Sequence, residues 1–243
     1  MGTPTRFTYG LATVTKQSPL GNYPLPDPFH TASTPTLDVT TYANDFFTLG
    51  TTTNDWTITG TSSTFAVTNG VGGLALITPG ASTTVTTVAA AHESFQFVAG
   101  QKFWFQARFD VSAVSSATQV DGIGLMKSSG GTLATTDSLL FTKAAGSTTL
   151  SLVSTVGSTS TTIASNLATL TSGTYIDAGF YYNGTDLEVF INDALVARVT
   201  SPTIGASATT LTNALLVPTI SLTPVTTETI NVDYLLAAQE IAR

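Results

Sequence analysis

The chain has no cysteine, so it can build neither a disulfide framework nor a thiolate metal site, and thiols leave its compartment undetermined. Charge is scarce too: 8 Lys+Arg and 15 Asp+Glu among 243 residues make 9% charged positions, against about 25% in an ordinary soluble domain. At a net charge of −7, the few cations cannot assemble the basic stripe on which phosphate-backbone affinity rests, so no nucleic-acid partner is expected. No apolar run approaches the roughly 18 residues of a membrane span. The N-terminus lacks a basic segment followed by an apolar run, so neither a membrane nor a secretory signal is expected. Gly2 opens no myristoylation motif, because Arg6 stands where Ser or Thr is required. Threonine is abundant instead, with 49 residues, and its hydroxyls must hydrate much of the surface that charges would otherwise serve.

Six of the 10 prolines fall in the first 35 residues. The run N-Y-P-L-P-D-P-F, Asn22 to Phe29, lacks the donors and the freedom in φ that a helix or a central strand needs. Residues 1–40 therefore read as an extended arm, which would gain order by lying across another surface.

From residue 41 to 243 the text changes to short runs of Val, Ile, Leu, Phe, Tyr and Thr, punctuated by Gly, Asn, Ser and Pro every 8 to 12 residues. This pattern predicts an all-β sandwich or barrel. Strands are expected at 64–68, 74–78, 83–90, 102–110, 120–126, 138–143, 148–154 and 161–165, where β-branched Thr suits a pleated surface. A three-strand meander is expected over 175–200, with turns at Asn183-Gly184 and Asn192-Asp193. A last strand over 229–238 would place Ile230, Val232, Tyr234 and Leu236 on one face.

The pieces K-F-W-F-Q-A-R-F-D (Lys102 to Asp110), G-I-G-L-M (Gly122 to Met126) and Y-Y-N-G-T-D-L-E-V-F-I-N-D-A-L-V-A-R-V (Tyr181 to Val199) resemble the strand grammar of the concanavalin-A-like, or laminin-G-like, jelly-roll sandwich. That fold hosts lectins, glycosidases, adhesion modules and viral coat proteins alike. Nearer the start, T-P-T-R-F-T-Y-G-L-A-T-V (Thr3 to Val14), P-L-G-N-Y-P-L-P-D-P (Pro19 to Pro28), Asp45 to Phe47 and Asp55-Trp56 resemble virion structural proteins of tailed bacteriophages. The resemblance implies a capsid decoration, or cement, protein on the outer capsid surface, with the major capsid protein and further copies of itself, as a homotrimer, for partners. Arm residues Arg6, Phe7, Tyr9, Tyr23, Leu25 and Phe29 would then contact the capsid.

The chemistry-bearing residues support no enzyme. His30 and His92 have no third ligand at zinc spacing, and no nucleophile elbow is present. Asp121 and Asp137 could lend oxygens to a cation, but no Asp-rich ligand loop accompanies them, so no metal or other cofactor is expected. Asp186 and Glu188 could share a strand face about 7 Å apart, as an acid and nucleophile would. Families of this fold that hydrolyse glycans resemble E-x-D-x-E or E-x-D-x-x-E, and Phe190 breaks that step. A carbohydrate-binding module or adhesin is the alternative, with Trp56, Trp104, Tyr181 and Tyr182 as aromatic platforms. Core packing is the competing role for these rings, since Trp104 alternates with Phe103 and Phe105.

Three segments carry no Asp, Glu, Lys or Arg: Trp56 to His92, Ala144 to Ile176 and Val199 to Thr227. Surfaces built from them are inexpensive to dehydrate, which favours assembly over life as a free monomer.

Overall fold

The computed structural model describes residues 38–47, 55–70, 72–80, 85–92, 95–114, 119–127, 137–200, 214–223 and 228–241. The six arm residues named above lie outside them. The strands in chain order are β1 (Asp38–Asn44), β2 (Trp56–Thr59), β3 (Thr64–Thr68), β4 (Leu74–Thr78), β5 (Thr86–Ala90), β6 (Phe103–Val111), β7 (Val120–Met126) and β8 (Ser138–Lys143). They continue with β9 (Thr149–Val156), β10 (Thr159–Thr169), β11 (Ile176–Tyr182), β12 (Leu187–Ile191), β13 (Ala194–Val199), β14 (Val217–Thr223) and β15 (Ile230–Ile241).

Two antiparallel sheets result. One has eight strands in the order β13-β12-β11-β6-β15-β4-β3, with β1 also on β15, and the other has seven in the order β10-β9-β8-β7-β14-β5-β2. β4 pairs with Ile230 to Val232 of β15, and β1 pairs with Leu235 to Ile241. One long strand thus carries two partners on the same edge.

The predicted meander is present as β11, β12 and β13. The second turn falls at Asn192-Asp193 as expected, and the first is longer than the two residues expected. Tyr182 pairs with Leu187, leaving a four-residue turn in which Asn183 Oδ1 accepts from Thr185 N at 2.8 Å and Asp186 N at 2.7 Å. The tight two-residue turn is Asn192-Asp193, both at positive φ of 47° and 68°, as a type I′ hairpin requires.

β15 departs from strict alternation. A bulge between Val232 and Tyr234 inserts Asp233, so Ile230 and Val232 face the core, then Leu235 and Ala237 do. The expectation that Tyr234 and Leu236 share a face with Ile230 and Val232 is therefore corrected, because one extra residue inverts every side chain beyond it.

The core is the space between the sheets. Phe180 of β11 lies 5.4 Å from Phe105, 5.9 Å from Phe103, 6.1 Å from Phe97 and 6.2 Å from Phe141 between ring centroids, tying β6 and β11 to β8 of the facing sheet. At the other end Trp56 packs on Phe65 at 5.1 Å and Phe46 at 5.9 Å. Each such buried ring contributes about 1.5–3 kcal/mol relative to exposure.

Candidate functional site

The seven-stranded sheet is built largely from the charge-free text, although β3 and β4 of the first such segment lie in the other sheet. β2 and β5 come from the first charge-free segment, β9 and β10 from the second, and β14 from the third. β7 and β8 add only Asp121 and Lys143. Those two share parity with the core residues Ile123, Leu125, Leu139 and Phe141 and turn inward. No strand of this sheet therefore presents a charged side chain outward.

Rows of small side chains cross the sheet's outer face, buried at Thr87, Ala89, Leu140, Thr219 and Ser221 and half-buried at Thr142, Ser151 and Val153. Thr87, Ser221, Gly122, Thr142 and Ser151 form one row, and Ala89, Thr219, Gly124, Leu140 and Val153 the next. Its hydroxyls are partly used within the sheet: Thr87 Oγ1 lies 3.4 Å from Ser221 Oγ, and Thr219 Oγ1 donates to Val217 O at 3.0 Å. Gly124 keeps the floor low, since a Cβ there would stand 2.3 Å from Leu139 O.

The eight-stranded sheet is the charged one. Its outer face carries a transverse row Arg198, Glu188, Tyr181, Trp104 and Ala238, paired from β13 across to β15. Tyr181 and Trp104 pack at 5.3 Å between centroids, Arg198 bonds Glu188, and Lys102 Nζ meets Glu240 at 3.0 Å. Burial, with the charges of Glu240 and Glu188 beside it, pushes the Tyr181 phenol up to about 12. Beyond this row Arg108 Nη1 holds Asp233 at 2.8 Å, its Nε lies 3.9 Å from Asp177, and its guanidinium sits 5.1 Å over the Tyr175 ring. Tyr234 donates to Asp177. Desolvation raises the Asp177 carboxyl, against the opposing pull of Tyr234 and Arg108.

The predicted aromatic platforms separate into two pairs. Trp56 and Tyr182 belong to the core, which corrects their assignment as sugar platforms: both point between the sheets, where no ligand reaches. Trp104 and Tyr181 are brought together on the outer face, yet they are only 0% and 6% exposed. Glu188 does not pair with Asp186 as an acid couple; it is buried and bound to Arg198. Asp121 and Asp137 do not meet at a cation either, because Asp121 faces Lys143 and Asp137 Oδ1 accepts from Gly157 N at 2.8 Å. Among the described residues, no cluster of three His, Asp or Glu could hold a metal ion. The inward Asp121 and Lys143 went unread in the sequence, although their alternation with Ile123 and Phe141 was the signal.

No protein-family model matches the chain, and no curated protein does. Solved structures do match. A protein of unknown function from Shewanella oneidensis superposes with a TM-score of 0.60 at 13% identity, over 88% of this chain and 91% of that one. An endo-1,3-β-glucanase from Streptomyces sioyaensis gives 0.59 at 14% identity, over 83% and 96%. A laminarinase from Flavobacterium sp. UMI-01 gives 0.60 at 12%, over 81% and 98%. The fold is a concanavalin-A-like jelly roll. The expectation that the chain is no enzyme is corrected by these neighbours: glucan-hydrolysing enzymes are built on the same sandwich over nearly their whole length, so the fold supplies no ground for excluding hydrolysis. At these identities the likeness is one of fold.

Proposed function

We propose that this chain is an assembly protein, a decoration protein of a tailed-bacteriophage head that docks on the shell through the outer face of its seven-stranded sheet, at the half-accessible end around Thr142 and Ser151. The observation that carries the reading is that strands from three charge-free segments, β2 and β5, β9 and β10, and β14, meet in that one sheet, although β3 and β4 of the first segment lie in the other. Desolvating a charge costs several kcal/mol, whereas a face of Thr, Ser, Gly and Leu incurs no such cost. The charged strands lie on the opposite sheet, so the side turned away from the shell carries ion pairs and acidic groups. Weak contacts of this kind add up when repeated on a lattice. The sequence resemblance of the first 56 residues to virion structural proteins supports the same reading, with the major capsid protein as partner and a homotrimer as the docked form.

Arginine at Thr142 or Ser151, both half-buried on the uncharged face, tests it. Particles carrying T142R or S151R should lose the protein, while arginine at exposed Thr41 on the charged sheet should leave occupancy intact. Full occupancy with T142R and S151R overturns the reading.

Carbohydrate binding or hydrolysis is the second reading. It is favoured by the Trp104–Tyr181 pair beside Glu188 and by the β-glucanase neighbours. A glycan array with β-1,3- and mixed-linkage glucans, repeated with Trp104→Ala, decides it: binding lost in the variant supports this site, and an empty array removes it.

A further inference from the structure

Lys143 and Asp121 form the one pair of opposite charges inside the sandwich among the described residues, and nothing in the docking function uses them. They are direct partners across β7 and β8. Lys143 Nζ stands 3.5 Å from Asp121 Oδ2, with side chains 0% and 4% exposed. Phe109, Val111, Phe141, Leu150, Leu170 and Ile230 line the space around them. In such a medium the carboxylate is disfavoured, and burial pushes the Asp121 carboxyl up, toward its neutral acid.

The two carboxyl oxygens are not equivalent. Oδ1 accepts a hydrogen bond from Gln119 Nε2 at 2.6 Å, and Oδ2 accepts none. Gln119 O in turn accepts from Lys143 Nζ at 3.2 Å, holding the amine against the carboxyl. Oδ1 is thus placed as the carbonyl oxygen, with an amide donor aimed where negative charge would develop, and Oδ2 as the hydroxyl.

We infer that Lys143 and Asp121 condense into an intramolecular isopeptide bond that clasps β7 to β8. Nζ attacks Cγ, a C–N bond forms, and the bond from Cγ to Oδ2 breaks. The proton shed by Nζ goes to the departing Oδ2 hydroxyl, and one water leaves. Nothing is oxidised or reduced, and no co-reactant is needed. Burial excludes the water that would compete for Cγ, and the cross-strand register supplies the proximity.

Intact-mass measurement of the purified full chain, followed by tryptic mapping, tests this. The chain should weigh about 18 Da, one water, less than its sequence requires. Trypsin should fail to cut after Lys143, leaving the 109–127 peptide joined to 128–198. Lys143→Met should have the full sequence mass. A wild-type chain of full mass, cut at Lys143, overturns the inference whether or not the variant folds. A loss of about 18 Da on a linear 109–127 peptide also overturns it, since that marks a succinimide at Asp121-Gly122.

Discussion

Replacing Arg108 with Met removes the guanidinium that bridges Asp233 and Asp177 on the charged sheet. Asp233 is the bulge residue of β15, and its side chain is 5% exposed. Breaking a buried ion pair by deleting one partner costs about 3–5 kcal/mol. Arg108 is itself 42% exposed, so solvent screens part of that interaction and the ionic loss falls to about 2–3 kcal/mol. The stacking over Tyr175 adds about 0.5–1 kcal/mol. We expect Arg108→Met to cost about 2–4 kcal/mol at neutral pH, read as a lowered midpoint in urea at unchanged slope. The share of the loss that comes from Asp177 should shrink as pH falls, because burial raises that carboxyl. Arg108→Lys should recover part of it, since an ammonium can meet Asp233 but lacks the planar fork that also reaches Asp177. A loss below about 0.5 kcal/mol at pH 7 would show that the bulge is not held electrostatically.

Asp177 should give the fold a second pH signature. Burial raises its carboxyl, so between its unfolded value near 4 and its folded value the native state binds more protons than the unfolded one. Its contribution is full below about pH 4 and is lost as pH rises through the folded value. Asp177→Asn should flatten that decline, and an unchanged difference between the two proteins from pH 4 to 7 would remove Asp177 as the cause. Phe180→Ala should cost about 3–5 kcal/mol, because the ring touches four others across both sheets; a thermal melt within a degree of wild type would contradict that packing.

Much of the sandwich was legible because alternation survives in short strands. β3, β4, β7 and β8 begin and end where the alternating residues do. β14 was missed because Pro218 argues against a central strand. It is tolerated there because β5 pairs only with Thr219 to Leu222, beyond its position. The bulge at Asp233 was illegible for a different reason: an inserted residue changes parity without changing composition. In the site, the charge-free segments were visible, but only strand order reveals that β2, β5, β9, β10 and β14 from them share one sheet while β3 and β4 do not. The inward parity of Asp121 and Lys143 could be read from V-D-G-I-G-L and S-L-L-F-T-K. Their meeting could not, since it depends on the β7–β8 register.

The central claim is that the uncharged face is the one that docks. Electron cryomicroscopy of the native particle tests it most directly. The account predicts jelly-roll density on the outer shell with β8 and β9 against the capsid lattice and the Arg108–Asp233 face turned to solvent. A particle without the protein, or one that seats the charged sheet on the shell, would contradict it.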